Sequence, residues 1–102
     1  MIRIPVDNER IADFCRKWKI THFSVFGSVL REDFGPESDL DVLVTFADDA
    51  HWTLFDWVEI QEELKETFGR EVDLLSRRGV ESSRNPIRRT TILSSAETIY
   101  AA

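Results

Sequence analysis

The chain has one cysteine in 102 residues, Cys15, so it can form no internal disulfide, and an intracellular, cytoplasmic setting is expected. It has no apolar run approaching the roughly 20 residues of a membrane span, which argues against membrane insertion. It shows no leader pattern either, since Ile2-Arg3-Ile4-Pro5 runs straight into charged sequence. Internal repeats and low-complexity segments are absent. Basic residues are in deficit, 13 against 19 acids, and a net charge of −6 argues against generic nucleic-acid binding.

What remains is an ordinary globular composition, 42% hydrophobic and 31% charged. Residues 1–102 are expected to form a single domain with a core of three or four strands and no room for a separate substrate domain. Anything beyond nucleotide binding then calls for a partner. The charge is also unevenly spread. Glu32 to Asp73 holds fourteen acids and two bases, whereas the stretch from Ser76 onward holds five arginines and two acids. Those arginines (Arg77, Arg78, Arg84, Arg88, Arg89) suit either a solvated face or contact with a nucleotide or an acidic partner.

The segment that carries chemistry runs from Gly27 to Val44. Leu40-Asp41-Val42-Leu43-Val44 is rich in strand formers, and residues two apart in a strand share a face. Leu40, Val42 and Val44 should therefore pack on one side while Asp39 and Asp41 stand together on the other. Two carboxylates so placed repel unless a cation lies between them, and ligation by oxygen alone suits Mg²⁺ or Mn²⁺. Upstream, Thr21 to Phe26 reads as a buried strand that ends in Gly27-Ser28, a tight turn where glycine admits close approach of a ligand to the backbone. Ser28 is expected to open a short helix, Val29 to Asp33, whose free amides would attract phosphate. Together the turn and the acids would grip one triphosphate from two sides.

Around this core, Asp7 is expected to cap a helix that buries Ile11, Phe14, Cys15 and Trp18. Thr53 and Asp56 match a capping box for a helix ended by Gly69, with Leu54, Trp57, Val58, Gln61, Leu64 and Phe68 inward and Glu59, Glu62, Glu63 and Glu66 solvated. Glu71-Val72-Asp73-Leu74-Leu75 alternates as a strand, with Asp73 available to the acid pair or else to Arg70 or Arg77. A loop from Arg77 to Arg84, a helix begun by Asn85-Pro86 and running to about Ser95, and an edge strand near Tyr100 complete the order. His22 reads as a surface residue, His51 as the better functional candidate of the two histidines, and Trp52 and Trp57 as core. This alternation, with helical crossovers available for parallel neighbours, predicts an α/β fold: a mixed β-sheet of about four strands flanked by helices.

Gly-Ser, ten residues, then Asp-x-Asp on a strand resembles the DNA polymerase β-type nucleotidyltransferase superfamily. More narrowly it resembles the minimal nucleotidyltransferases, the MntA-like antitoxins encoded beside HEPN-domain partners. Gly27, Ser28, Arg31, Ser38, Asp39 and Asp41 match that pattern, Asp73 is its natural third acid, and Glu32 stands where the family usually has glycine. The resemblance implies metal ligation and catalysis by Asp39, Asp41 and Asp73 with two Mg²⁺ ions, phosphate contacts from Gly27, Ser28, Arg31 and Ser38, and ATP as the nucleoside triphosphate donor. It also implies transfer of AMP to a tyrosine of a HEPN toxin. A homo-oligomer is left open by the residues themselves. A non-catalytic binding antitoxin and a nucleotidyl-transferring subunit for a small molecule remain the alternatives.

Overall fold

The computed structural model of the protein describes residues 7–30, 35 and 37–102. The first helix, α1 (Asn8–Lys17), starts where the Asp7 carboxylate accepts the Arg10 amide at 3.2 Å, satisfying one of the donors left open at a helix start. It is followed by β1 (Ile20–Phe26), a 3-10 turn (Gly27–Leu30), β2 (Leu40–Phe46), α2 (Leu54–Phe68), β3 (Val72–Ser76), α3 (Arg77–Glu81), α4 (Pro86–Ser95) and β4 (Glu97–Ala101). The strands form one mixed sheet in the order β3-β2-β1-β4: β1 is antiparallel to both neighbours, and β2 and β3 are parallel. A parallel pair cannot be joined by a hairpin, and here α2 is the crossover.

Both faces of the sheet are covered. Phe23, Val25, Leu40, Val42, Val44, Val72 and Leu74 pack on one side with α1 and α2, through Ile11, Phe14, Cys15, Ile60 and Leu64. Phe23 sits at the centre, edge-on to Phe14 and stacked on Phe68. Phe26 and Leu43 face the other way, toward Val80 of α3 and Ile92 of α4. Asp41 and Asp73 share this second face, beyond the cover that α3 and α4 provide.

The expected sheet, its flanking helices, the buried Cys15 and the exposed His22 are all observed. Several details differ. The inward stripe of α2 is Trp57, Ile60, Leu64 and Phe68, and Leu54 and Val58 face solvent at 77% and 51% exposure. Apolar residues lie on two sides of this helix, and the side whose stripe runs the whole length meets the sheet, because that rotation buries more continuous surface. Glu63 is not simply solvated, since its carboxylate accepts from Trp18 Nε1 and Lys17 Nζ, both at 3.0 Å. The segment after β3 is not all loop: Ser76 Oγ accepts the Gly79 amide at 3.0 Å and caps the short α3, which brings Val80 into the core. The turn after β1 starts at Gly27 rather than Val29, and of the expected helix Val29 to Asp33, residues 31–33 lie outside the described residues.

Burial pushes the Cys15 thiol up from its ordinary 9.0 to about 12, with Arg16 opposing the shift. A group whose folded-state pKa is raised contributes stability below its unfolded value and loses it as pH climbs toward the folded one. Stability should therefore decline between about pH 9 and 12. At pH 8 Cys15 should resist iodoacetamide in the native protein and react fully in urea; equal rates by mass spectrometry would contradict the packing around α1.

Candidate active site

β1 delivers the chain to Gly27, which adopts φ +73 at the start of the 3-10 turn. Only glycine takes that conformation without steric cost. Val29, fully buried, anchors the turn to the core. A Cβ on Gly27 would collide with Asp41 Oδ2 and come within 3.3 Å of Asp41 Cγ, so the Asp41 carboxylate lies directly against the bare glycine backbone. The turn and the Asp-x-Asp strand, well separated in the chain, are thus in contact.

The sheet register brings the other acids to the same strand ends. Asp41 pairs with Phe26 on one side and with Asp73 on the other. Partners on adjacent strands stand about 5 Å apart with side chains on one face. Asp39 lies just before β2; it and Asp73 are exposed, and Asp41 is half-buried. Among the described residues Asp73 forms no ion pair: Arg77 donates to Glu81 at 3.2 Å, and Arg70 Nη1 donates to the Gly35 and Ser38 carbonyls. The three aspartates share one end of the sheet without forming a closed ligand set. Among the described residues no three His, Cys, Asp or Glu side chains are gathered closely enough to hold one ion. Repulsion between like charges favours rotamers that keep exposed carboxylates apart.

The remaining expected contacts divide. Ser28 lies in the turn, Ser38 Oγ accepts the Gly35 amide at 3.1 Å, and Arg31, like Glu32, lies outside the described residues. His51, Trp52, Trp57, Arg77 and Arg78 line a cavity of about 630 Å³ at the opposite ends of β2 and β3, away from the acids. Trp52 and Trp57 pack on the core as expected, with Trp52 Nε1 donating to the Trp18 carbonyl at 2.9 Å. The residue missed by sequence reasoning is Arg70, considered only as a partner for Asp73. Two of its contacts are to backbone carbonyls, which leave no trace in residue identity.

The residues present fit a hard divalent cation. The donors are carboxylate oxygens only, two on adjacent paired strands and one two residues upstream, and the glycine beside Asp41 leaves open the space that any side chain there would fill. No helix among the described residues is long and apolar enough to cross a membrane.

Comparison with known proteins identifies the family and the fold. Residues 9–98 match the nucleotidyltransferase domain family. A Methanocaldococcus jannaschii protein, whose name assigns it provisionally to the protein adenylyltransferases, is 32% identical over 87 residues, covering 85% of this chain and 87% of its own. A solved structure provisionally named a minimal nucleotidyltransferase is also 32% identical, with a TM-score of 0.67 over 88% of this chain and 86% of that one. The fold alone is shared with a complex of a tri-AMPylated HEPN toxin and its MNT antitoxin from Shewanella oneidensis: 20% identity and a TM-score of 0.62, over 93% of this chain and 70% of that one. Because the family match spans residues 9–98, taking in the turn at Gly27 and the three aspartates, the chain belongs to the nucleotidyltransferase domain family, among its minimal members.

Proposed function

We propose that this nucleotidyltransferase acts as one minimal domain in the cytoplasm, moving AMP from ATP to a tyrosine hydroxyl of a HEPN-domain partner and so serving as its antitoxin. The observation that carries the reading is the abutment of Gly27 on the Asp41 carboxylate, with Asp73 in register beside it. That arrangement sets a bare stretch of backbone, which a phosphate can approach, against two carboxylates on adjacent paired strands. The partner and its modification are inferred from the Shewanella oneidensis complex, whose toxin carries AMP groups. Exposure of Asp39 and Asp73 at open strand ends supports an acceptor that approaches as the surface of another polypeptide.

In this scheme Asp39 and Asp41 would hold one Mg²⁺, and with Asp73 a second. Bound there, the ions would supply charge neutralisation of the triphosphate and of the attacking and leaving oxygens. The bare backbone at Gly27, with Ser28, Arg31 and Ser38, orients the phosphates. A tyrosine hydroxyl has a pKa near 10, so at neutral pH it needs a base, and Asp73 takes that proton. The acceptor oxygen bonds to the α-phosphorus, the bond from that phosphorus to the bridging oxygen breaks, and pyrophosphate leaves.

The test is to incubate the protein with the product of its neighbouring gene, ATP and Mg²⁺, and to follow the neighbour by intact mass. Stepwise gain of AMP units, abolished by EDTA, is the expected result. A stable complex that gains no mass would favour the steric antitoxin. AMP appearing on an aminoglycoside instead would favour the small-molecule reading.

A further inference from the structure

Arg70 lies in the turn between α2 and β3, outside the Gly-Ser and Asp-x-Asp motifs. Its half-buried side chain reaches back across more than thirty residues, and one nitrogen, Nη1, donates to the Gly35 carbonyl at 3.1 Å and to the Ser38 carbonyl at 3.0 Å. These carbonyls mark the two ends of a turn that closes on itself, with the Ser38 amide donating to the Gly35 carbonyl and the Gly35 amide to Ser38 Oγ, both at 3.1 Å. Asp39 is the next residue. On the β3 side the Leu40 amide donates to the Glu71 carbonyl at 2.9 Å, the first rung of the parallel ladder that pairs Asp41 with Asp73.

β2 and β3 are joined by a long crossover, so no hairpin ties their leading ends together, and Asp39 lies just before the first ladder residue of β2. The Arg70 guanidinium ties the turn before Asp39 to the turn before Asp73.

We infer that Arg70 is a positioning residue, which holds the Gly35–Ser38 turn against the start of β3 and thereby sets Asp39 relative to Asp41 and Asp73. This deepens the function proposed above and rests on it. Because a single nitrogen serves both carbonyls, a lysine ammonium can replace part of the clamp, whereas methionine, similar in length, offers no donor.

The experiment measures binding of the ATP analogue AMP-PNP by calorimetry across a Mg²⁺ titration, so that turnover plays no part, in wild type, Arg70→Met and Arg70→Lys. Outer groups that orient metal ligands typically change affinity by about 10- to 100-fold when removed, so Arg70→Met should raise the Mg²⁺ concentration for half-saturation about tenfold. Arg70→Lys should lie between it and wild type. Amide exchange should accelerate at Ser38 and Leu40 in Arg70→Met and stay unchanged in β1, which a general loss of stability would not produce. Equal Mg²⁺ half-saturation in wild type and Arg70→Met overturns the clamp alone, as does a lysine variant no better than methionine. A wild type whose nucleotide binding ignores Mg²⁺ overturns the acidic metal site, and this inference with it.

Discussion

Replacing Asp39 and Asp41 together with asparagine should lower nucleotidyl transfer about a thousandfold or more and leave the melting temperature within a few degrees of wild type. The first half follows from charge. Metal ions on such carboxylates are worth several kcal/mol of transition-state stabilisation, and each 1.36 kcal/mol is about tenfold in rate. The second half follows from shape, since asparagine nearly matches aspartate in volume, Asp39 is exposed, and removing like charges relieves repulsion at the strand ends. A thermal-shift assay gives a second view. On the proposed reading the folded acidic site binds Mg²⁺ and the unfolded chain does not, so Mg²⁺ should raise the melting temperature of wild type and lose most of that effect in the double variant. The same variant separates an enzyme from a steric antitoxin. If it still neutralises the neighbouring gene product as well as wild type, with no added mass, the catalytic reading is wrong and the acids serve nucleotide binding at most.

Gly27→Ala should be nearly as damaging to transfer, and it should also cost stability. The left-handed backbone at φ +73 costs about 1–2 kcal/mol for any residue with a Cβ. The new Cβ would also collide with the Asp41 carboxylate, so Asp41 must rotate away from its alignment beside Asp73. Two other glycines divide these effects. Gly69 has the same backbone sign, φ +67, and a methyl group there would meet nothing within 4 Å, so Gly69→Ala should show the stability loss without the loss of transfer. Gly35 also has open space around it and does not take a left-handed φ, so Gly35→Ala should be mild in both. Urea denaturation and initial transfer rates on the three variants decide the matter. If Gly27→Ala loses no more transfer than Gly69→Ala, close contact between the glycine turn and Asp41 has no part in the chemistry.

How far each feature could be read from the residues depended on the range of the interactions behind it. Asp7, Thr53 with Asp56, Gly69 and Asn85-Pro86 all marked helix ends where helix ends are found, because capping involves residues only a few positions apart. Strand alternation likewise placed Val42 and Val44 opposite Asp41. The rotation of α2 was not legible in the same way: Leu54, Phe55 and Val58 make a local apolar patch as convincing as Ile60 and Leu64, and the sheet alone selects between them. Nor did the stretch after Ser76 advertise a helix, since Arg77–Glu81 is short and contains Gly79, and Val80 is buried there in a cluster with Phe26, Leu43 and Ile92 that only the folded sheet assembles.

At the candidate site the division is the same. The amino-acid sequence by itself determined which groups are available, a glycine turn after one strand, two acids at alternate positions on the next, and a third acid on a later strand, because these follow from residue type and a period of two. Only the tertiary structure decided that Gly27 touches Asp41, that Asp73 pairs with Asp41, and that Arg70 closes the turn before Asp39. Those contacts join segments more than ten residues apart, and their geometry depends on strand order, the parallel register and a donor aimed at backbone carbonyls. None of these is encoded in the identity of any one residue; they come from how the sheet and its crossover pack.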